Sequence, residues 1–276
     1  MKIFVSIDLE GVAGVVHVDQ TRRTGSDYEK ARRWMTGETN AAIEGAFAGG
    51  ASAVLVNDSH GDMRNLLLED LDERAEVISG SLKPLSMVQG AARDIGAALF
   101  VGYHAGAGTA AGILDHTYYG RVVARCRVGG RDFDETALNA TVCGELGFPV
   151  ALVTGDASVC ATARERLGAI ETVAVKDAIT RYAARAMHPA RARQKIRDGA
   201  KRAVERARAG ELTPYRPPAP HRLEIDFVNS ACADAAELVP GTTRSGGTTT
   251  SYTAPDAATL LQVIQAWTLL AGTTIV

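Results

Sequence analysis

The chain has 276 residues, of which 46% are hydrophobic, and this suits one large globular domain or two smaller ones. Thirty basic residues against 32 acidic ones give a net charge of −2, which offers no general attraction to nucleic acid or anionic membranes. No stretch approaches the roughly twenty apolar residues of a membrane span, and carboxylates interrupt the first apolar run too early for a signal peptide. We expect a cytoplasmic protein without nucleic-acid or membrane partners, whose four dispersed cysteines stay reduced.

Short apolar runs alternate with helix-like segments as far as residue 175, and this predicts a mostly parallel sheet with helices on both faces. The predicted strands in this part span residues 3–8, 53–57, 76–79, 97–102, 150–154 and 171–175. The predicted helices span residues 28–48 and 157–167, with two more that begin near residues 84 and 134. Between them, residues 122–128 alternate in polarity before Gly129 and Gly130, which predicts a β-hairpin.

The pattern changes after residue 175. A long Ala/Arg-rich helical segment precedes a proline-rich linker at 213–220, a strand at 223–228, a Thr/Gly-rich stretch and a closing amphipathic helix at 255–271. The expected fold class is therefore α/β, with a three-layer catalytic domain over residues 1–175. A smaller α+β portion would follow over residues 176–276.

Two carboxylates follow the first predicted strand directly. Asp8 and Glu10 are two positions apart and so share one face at the carboxyl end of the strand, the edge where open α/β sheets bind ligands. Adjacent negative charges repel unless a cation or a proton lies between them, so a divalent metal is the leading explanation. The alternative is a pair of solvated carboxylates in a turn.

Two histidines strengthen the metal interpretation. His60 follows the second predicted strand and His104 follows the strand at 97–102, so both belong at the same sheet edge. Imidazole and carboxylate together are typical ligands of zinc and its first-row neighbours. Asp58, two positions before His60, either orients a ligand or caps the following turn.

Two further residues have weaker signals. His116 precedes the predicted hairpin, and by itself could be an ordinary loop histidine. Glu135 opens the helix predicted near residue 134, where a first-turn carboxylate is favourable without any metal. Lys83, followed by a proline, either contacts a substrate or fixes a turn.

Taken together, these residues occur in motifs that span nearly the whole chain in a fixed order. On these motifs the chain resembles the DppA-type D-aminopeptidases, a family of zinc-dependent peptidases. The matching residues are Asp8-x-Glu10-Gly11, Val56-Asn57-Asp58-Ser59-His60, Ser79-Gly80-x-x-Lys83-Pro84-x-Ser86-Met87-Val88, Gly102-Tyr103-His104-Ala105, His116, Glu135-x-x-Leu138-Asn139-Ala140, Gly155-Asp156 and Gly247-Thr248-Thr249-Thr250.

The resemblance implies two zinc ions per subunit. Asp8 would bridge both ions, Glu10 and His60 would complete one site, and His104 and Glu135 would complete the other. Such a centre activates water and polarises the scissile carbonyl. The counterpart of His116 is the catalytic histidine of the family, where it would transfer protons or stabilise the oxyanion.

The resemblance also implies a substrate and an assembly. The expected substrate is a short peptide with an N-terminal D-amino acid, and the expected assembly is a homo-oligomer, in the form of a decameric ring. D-selectivity rests on this analogy, because fold and metals do not determine it. The alternatives are a two-metal hydrolase of another substrate class, such as phosphate esters, and a non-catalytic protein that binds peptide or metal.

Overall fold

The structure is a computed structural model that describes residues 1–275 of the chain. In chain order the strands are β1 (Lys2–Ile7), β2 (Ala53–Asp58), β3 (Ala75–Ile78), β4 (Ile95–Tyr103), β5 (Val123–Val128), β6 (Arg131–Asp132), β7 (Val150–Asp156), β8 (Glu171–Thr180), β9 (Ala183–Ala186), β10 (His221–Phe227), β11 (Thr243–Arg244) and β12 (Thr249–Ala254). The α-helices are α1 (Tyr28–Ala48), α2 (Glu135–Leu146), α3 (Ala157–Leu167), α4 (Pro189–Arg208), α5 (Ser230–Ala236) and α6 (Ala257–Gly272).

The larger sheet has seven strands in the order β3-β2-β1-β4-β7-β8-β9. All neighbouring strands are parallel except β8 and β9, which are antiparallel. The order reverses between β1 and β4, because the chain moves outward from β1 through β2 and β3 and then returns to the other side of β1. In a sheet of this kind, such a reversal opens a crevice at the carboxyl ends of the strands, where ligands bind.

Helices cover both faces of the larger sheet. On one face, Ile3, Val5 and Ile7 of β1 pack in a core with α1 and α4. On the other face, Phe4 and Phe100 pack in a second core with α2, α3 and the smaller sheet. Burial on both faces explains why β1 reads as a continuous apolar run. The three-layer α/β fold class predicted from the sequence is confirmed.

The smaller sheet has five antiparallel strands in the order β11-β12-β10-β5-β6. Strands β5 and β6 are the predicted hairpin, and α6 packs against α5, α2 and this sheet. The sheet therefore combines strands from before and after residue 175, while β8 runs through that position. The division into folding units at residue 175 stays a prediction.

Two local predictions were wrong. The helix expected from residue 84 is only a short 3-10 helix, Ser86–Val88, because Ser86 has a φ of +48°, a left-handed conformation that an α-helix cannot accommodate. The Ala/Arg-rich segment is not helical throughout, because residues 183–186 form β9 and pair with β8. Helix α4 begins only at Pro189, a residue that suits the first helical position.

Two further features concern helix length and the cysteines. Within residues 1–275, no helix is both long enough and apolar enough to cross a membrane. All four cysteines are buried and unpaired, as expected from their spacing.

Candidate metal centre

The sheet reversal brings the predicted ligands together. Asp8 and Glu10 follow β1, His60 follows β2 and His104 follows β4, so three neighbouring strands deliver them to one edge. Glu135 reaches the same place as the first residue of α2. All five side chains are buried, although each is charged or readily charged, and such burial is costly unless the charges are compensated.

The two oxygens of the Asp8 carboxylate face different histidines. Oδ1 lies 3.2 Å from Nδ1 of His60, and Oδ2 lies 3.3 Å from Nε2 of His104. Glu10 Oε2 lies 2.8 Å from the same His60 nitrogen, and Glu135 Oε1 lies 3.6 Å from the same His104 nitrogen. The five residues thus form two clusters that share Asp8. Each cluster has one imidazole and one further carboxylate, which belongs to that cluster alone.

Backbone carbonyls orient both imidazole rings. His60 Nε2 lies 2.7 Å from the Thr21 carbonyl oxygen, and His104 Nδ1 lies 2.9 Å from the Ala105 carbonyl oxygen. A carbonyl only accepts hydrogen bonds, so these nitrogens carry the protons, and in the neutral ring the other nitrogen presents a lone pair to the carboxylates. His104 Nε2 is buried and has no hydrogen-bond partner among residues 1–275. Such an orientation fits a metal ligand with its outer partner in place.

The electrostatics of the cluster favour a cation. Burial alone would lower the pKa of His104, but Glu135 and Asp8 outweigh this effect and raise the pKa well above its usual value. Burial would likewise raise the pKa of Asp8, yet hydrogen bonds and charges from His104 and His60 hold it far below its usual value. The carboxylates therefore require positive charge at the histidine nitrogens, and a divalent cation supplies more of it than a proton.

His116 lies beside this cluster and on the solvent side. Its ring stacks on that of His104, with 4.1 Å between the centroids, and its Nε2 lies 3.9 Å from Glu135 Oε1. Nδ1 lies 2.8 Å from the Leu114 carbonyl oxygen, which fixes the tautomer as in the other two histidines. One-fifth of the His116 side chain is exposed, against 2% for His104. His116 can thus reach both the cluster and a bound molecule.

The segment that follows β1 is held tightly against the sheet. A Cβ at Gly11 would lie 1.9 Å from the Tyr103 carbonyl oxygen, so only glycine fits after Glu10. Lys176 of β8 is 2% exposed in total, and its ammonium donates hydrogen bonds to the carbonyl oxygens of Glu10, Val12 and Val15. The sequence contained no signal for this role, because Lys176 simply follows the apolar strand predicted at residues 171–175.

The ambiguity at Asp58 is resolved in favour of the turn. Its carboxylate accepts hydrogen bonds from the backbone N–H groups of Asn65 and Leu66 and from the Asn65 side chain. His60 is oriented by Thr21 instead, as described above. Asp58 therefore stabilises the segment after His60.

A cavity of about 510 Å³ opens onto the cluster. Asp8, His60, His116 and Glu135 line one part of it, and Lys83 lies in its wall. Helix α6, near the end of the chain, forms another part of the wall, which the amphipathic pattern of that helix did not reveal. Its contributing residues are Gln265, Thr268, Leu269 and Gly272.

Comparison with known proteins identifies the family. A family model described as D-aminopeptidase matches residues 1–266. The chain belongs to the D-aminopeptidase family. It is 38% identical to a D-aminopeptidase of Bacillus subtilis (strain 168) over 276 residues, which cover 98% of each protein.

A solved structure shares the fold of the whole chain. This relative is the Zn-dependent D-aminopeptidase DppA from Bacillus subtilis, described as a self-compartmentalizing protease. The TM-score is 0.93 at 36% sequence identity, and the match covers 100% of both chains. Membership of the D-aminopeptidase family confirms the expected enzyme class, a peptide hydrolase of the metallo-aminopeptidase type.

Proposed function

We propose that this protein is a binuclear zinc aminopeptidase that removes N-terminal D-amino acids from short peptides. The observation that carries the proposal is the Asp8 carboxylate, whose two oxygens face two separate imidazoles, each with its own second carboxylate. This is the arrangement that a bridging ligand between two metal ions requires. The Zn-dependence stated for the Bacillus subtilis relative supports the choice of metal.

The ligands divide between the two ions according to the two clusters. Asp8 would be shared by both ions, Glu10 and His60 would hold one of them, and His104 and Glu135 would hold the other. Nitrogen and carboxylate oxygen donors of this kind suit zinc, and three protein donors per ion would leave a position for water, as in catalytic sites. His116 is left outside the ligand set because its side chain is the most exposed of the three histidines.

His116 moves the protons of the reaction. Zinc, when bound, supplies Lewis acidity that lowers the pKa of water toward about 7 and polarises the scissile carbonyl. The free Nε2 of His116 accepts a proton from the attacking water and delivers it to the departing amine. Its Nδ1–H stays hydrogen-bonded to the Leu114 carbonyl, and Glu135, 3.9 Å from Nε2, stabilises the imidazolium between the two transfers.

The proposal includes a homo-oligomer, in the form of a decameric ring, whose enclosed space admits only short, unfolded peptides. Support comes from the relative, which is described as self-compartmentalizing. Light scattering should give about ten times the 29.1 kDa mass of the chain, and a monomer would contradict this part of the proposal.

Zinc content and stereoselective hydrolysis test the function together. Wild type should bind two zinc ions per chain and cleave D-Ala-D-Ala much faster than L-Ala-L-Ala. Asp8→Ala should lose zinc, whereas His116→Ala should keep zinc and lose activity by about 10²–10⁴-fold. Hydrolysis of a phosphate ester in place of both dipeptides would favour a different two-metal hydrolase. Zinc binding without hydrolysis of either class would favour the non-catalytic alternative.

A further inference from the structure

Lys83 is the only lysine or arginine among the residues that line the cavity in the described part of the chain. It follows β3 in the segment that leads to the short 3-10 helix. The residue is 7% exposed, so its ammonium is held in the wall rather than extended into solvent. The carboxylates and imidazoles of the cavity wall all belong to the metal centre or lie beside it, namely Asp8, His60, His116 and Glu135.

The contacts of Lys83 fix its position and leave one donor for a ligand. Nζ donates hydrogen bonds to the side-chain carbonyl oxygen of Asn57 at 2.7 Å and to the backbone carbonyl oxygen of Asp58 at 2.6 Å. An ammonium has three N–H groups, and within residues 1–275 the third finds no hydrogen-bond acceptor. Both acceptors are neutral, so the charge of Lys83 is not cancelled by a contacting carboxylate.

A short peptide presents one group that suits this ammonium. A dipeptide whose N-terminal ammonium lies at the metal centre still has a C-terminal carboxylate, which pairs well with a partly desolvated Lys. We propose that Lys83 binds the C-terminal carboxylate of dipeptide substrates, and that it thereby makes the enzyme prefer a free dipeptide to its amide. This inference rests on the proposed aminopeptidase function and specifies its substrate class.

Lys83 lies near the metal centre, in the wall of the same cavity. Lys83 is bonded to the Asp58 carbonyl, only two positions before His60, which belongs to the metal centre. Lys83 also lines the same cavity as His60 and Glu135, so a dipeptide, whose two residues span about 7 Å when extended, can lie between them.

The test compares a dipeptide with its amide. We would measure kcat/KM for D-Ala-D-Ala and for D-Ala-D-Ala amide with wild type, Lys83→Met and Lys83→Arg. Wild type should prefer the acid by about 10- to 100-fold, the usual effect of one charge-assisted hydrogen bond. Lys83→Met should lose most of that preference, chiefly through KM for the acid, and Lys83→Arg should restore part of it.

Lys176→Met is the matched control, because it also removes a buried ammonium that holds backbone carbonyls but does not line the cavity. It should lower kcat/KM for acid and amide by the same factor. A wild type without preference for the acid would overturn the inference. So would an equal loss for both substrates in Lys83→Met, which would indicate oxyanion stabilisation or a purely structural role.

A binding measurement separates this inference from the proposed function. Calorimetry on zinc-loaded His116→Ala should show tighter binding of the acid than of the amide, and the double variant with Lys83→Met should lose that difference. If the acid is preferred in binding but wild type cleaves neither compound, the proposed function fails and the carboxylate site stands. If acid and amide bind equally, the inference fails whatever the activity.

Discussion

Lys176→Met should destabilise the segment that carries Glu10 and weaken zinc binding. The ammonium of Lys176 donates to the carbonyl oxygens of Glu10, Val12 and Val15 at 2.5, 2.9 and 2.6 Å. All three of its N–H groups are therefore used, and methionine fills a similar volume while donating nothing. The three carbonyl groups would be left without these donors in a part of the chain that is almost entirely buried.

The magnitude follows from two opposing contributions. Hydrogen bonds to a charged group contribute about 1.5–3 kcal/mol each, so three of them contribute about 4.5–9 kcal/mol. Against this, burial lowers the pKa of Lys176 from 10.5 to about 8, which corresponds to about 3 kcal/mol spent on keeping the ammonium charged at neutral pH. The free energy of unfolding should therefore fall by about 1.5–6 kcal/mol. Zinc affinity should fall about 10- to 100-fold, as is usual when a partner that orients a ligand is removed.

Urea unfolding of the zinc-free protein at fixed concentration measures the first quantity, and zinc titration with a competing chelator measures the second. Lys201→Met is the control, because Lys201 is an exposed lysine of α4 and should change stability by less than about 0.5 kcal/mol. If Lys176→Met unfolds at the same urea concentration as wild type and binds zinc equally well, the three hydrogen bonds do not hold this segment.

Three further predictions concern pH, the His116 segment and the metal. Burial lowers the pKa of Lys83 to about 8, with Asp58 opposing the shift. The charge of Lys83 is lost as pH rises through that value. The ratio of kcat/KM for D-Ala-D-Ala to kcat/KM for its amide should therefore fall between pH 7 and 9.5. A constant ratio would contradict the assignment of Lys83 to the carboxylate. Arg181 forms an ion pair with Asp115, and its carbonyl accepts a hydrogen bond from Leu114 N–H. Arg181→Met should therefore make the segment that carries His116 less well ordered and lower kcat about 10-fold at unchanged zinc content. Arg181→Lys should restore part of the activity. A loss of zinc in Arg181→Met would refute this role. Chelation of zinc should lower Tm by about 5–10 °C in differential scanning fluorimetry, because a ligand at 100 times its Kd stabilises the folded protein by about 2.7 kcal/mol. Re-added zinc should restore the Tm. An unchanged Tm would argue against a buried metal centre.

The sheet edge was predictable because its signals are local. Continuous apolar runs predicted β1, β2 and β4, and the polar residues directly after them, Asp8, His60 and His104, were expected at one edge of a parallel sheet. The structure confirms these strands and brings the three side chains into contact. Their common role as zinc ligands stays a proposal.

Other parts of the site depend on tertiary packing, which local patterns do not encode. Glu135 alone looked like a favourable first-turn charge, and only the position of α2 over the sheet edge brings it to His104. The charge of Lys176 gave no indication that β8 directs it toward the segment after β1. Likewise, the amphipathic pattern of α6 predicted a buried face but not the part that closes the cavity around Leu269.

Pairing between distant strands also overrode local propensity. Alanine and arginine favour helix, yet Ala183–Ala186 forms β9 because it can pair with the end of β8. Similarly, the smaller sheet takes β5 and β6 from one half of the chain and β10 from the other. Neither arrangement has a signature within a window of ten or twenty residues.

The most direct test of the binuclear centre is an anomalous difference map from crystals of the zinc-loaded protein at the zinc absorption edge. The account predicts two peaks per chain, about 3.5–4 Å apart, with Asp8 between them. One peak should have Glu10 and His60 as its further ligands, and the other His104 and Glu135. A single peak, or two peaks that do not share Asp8, would contradict the account.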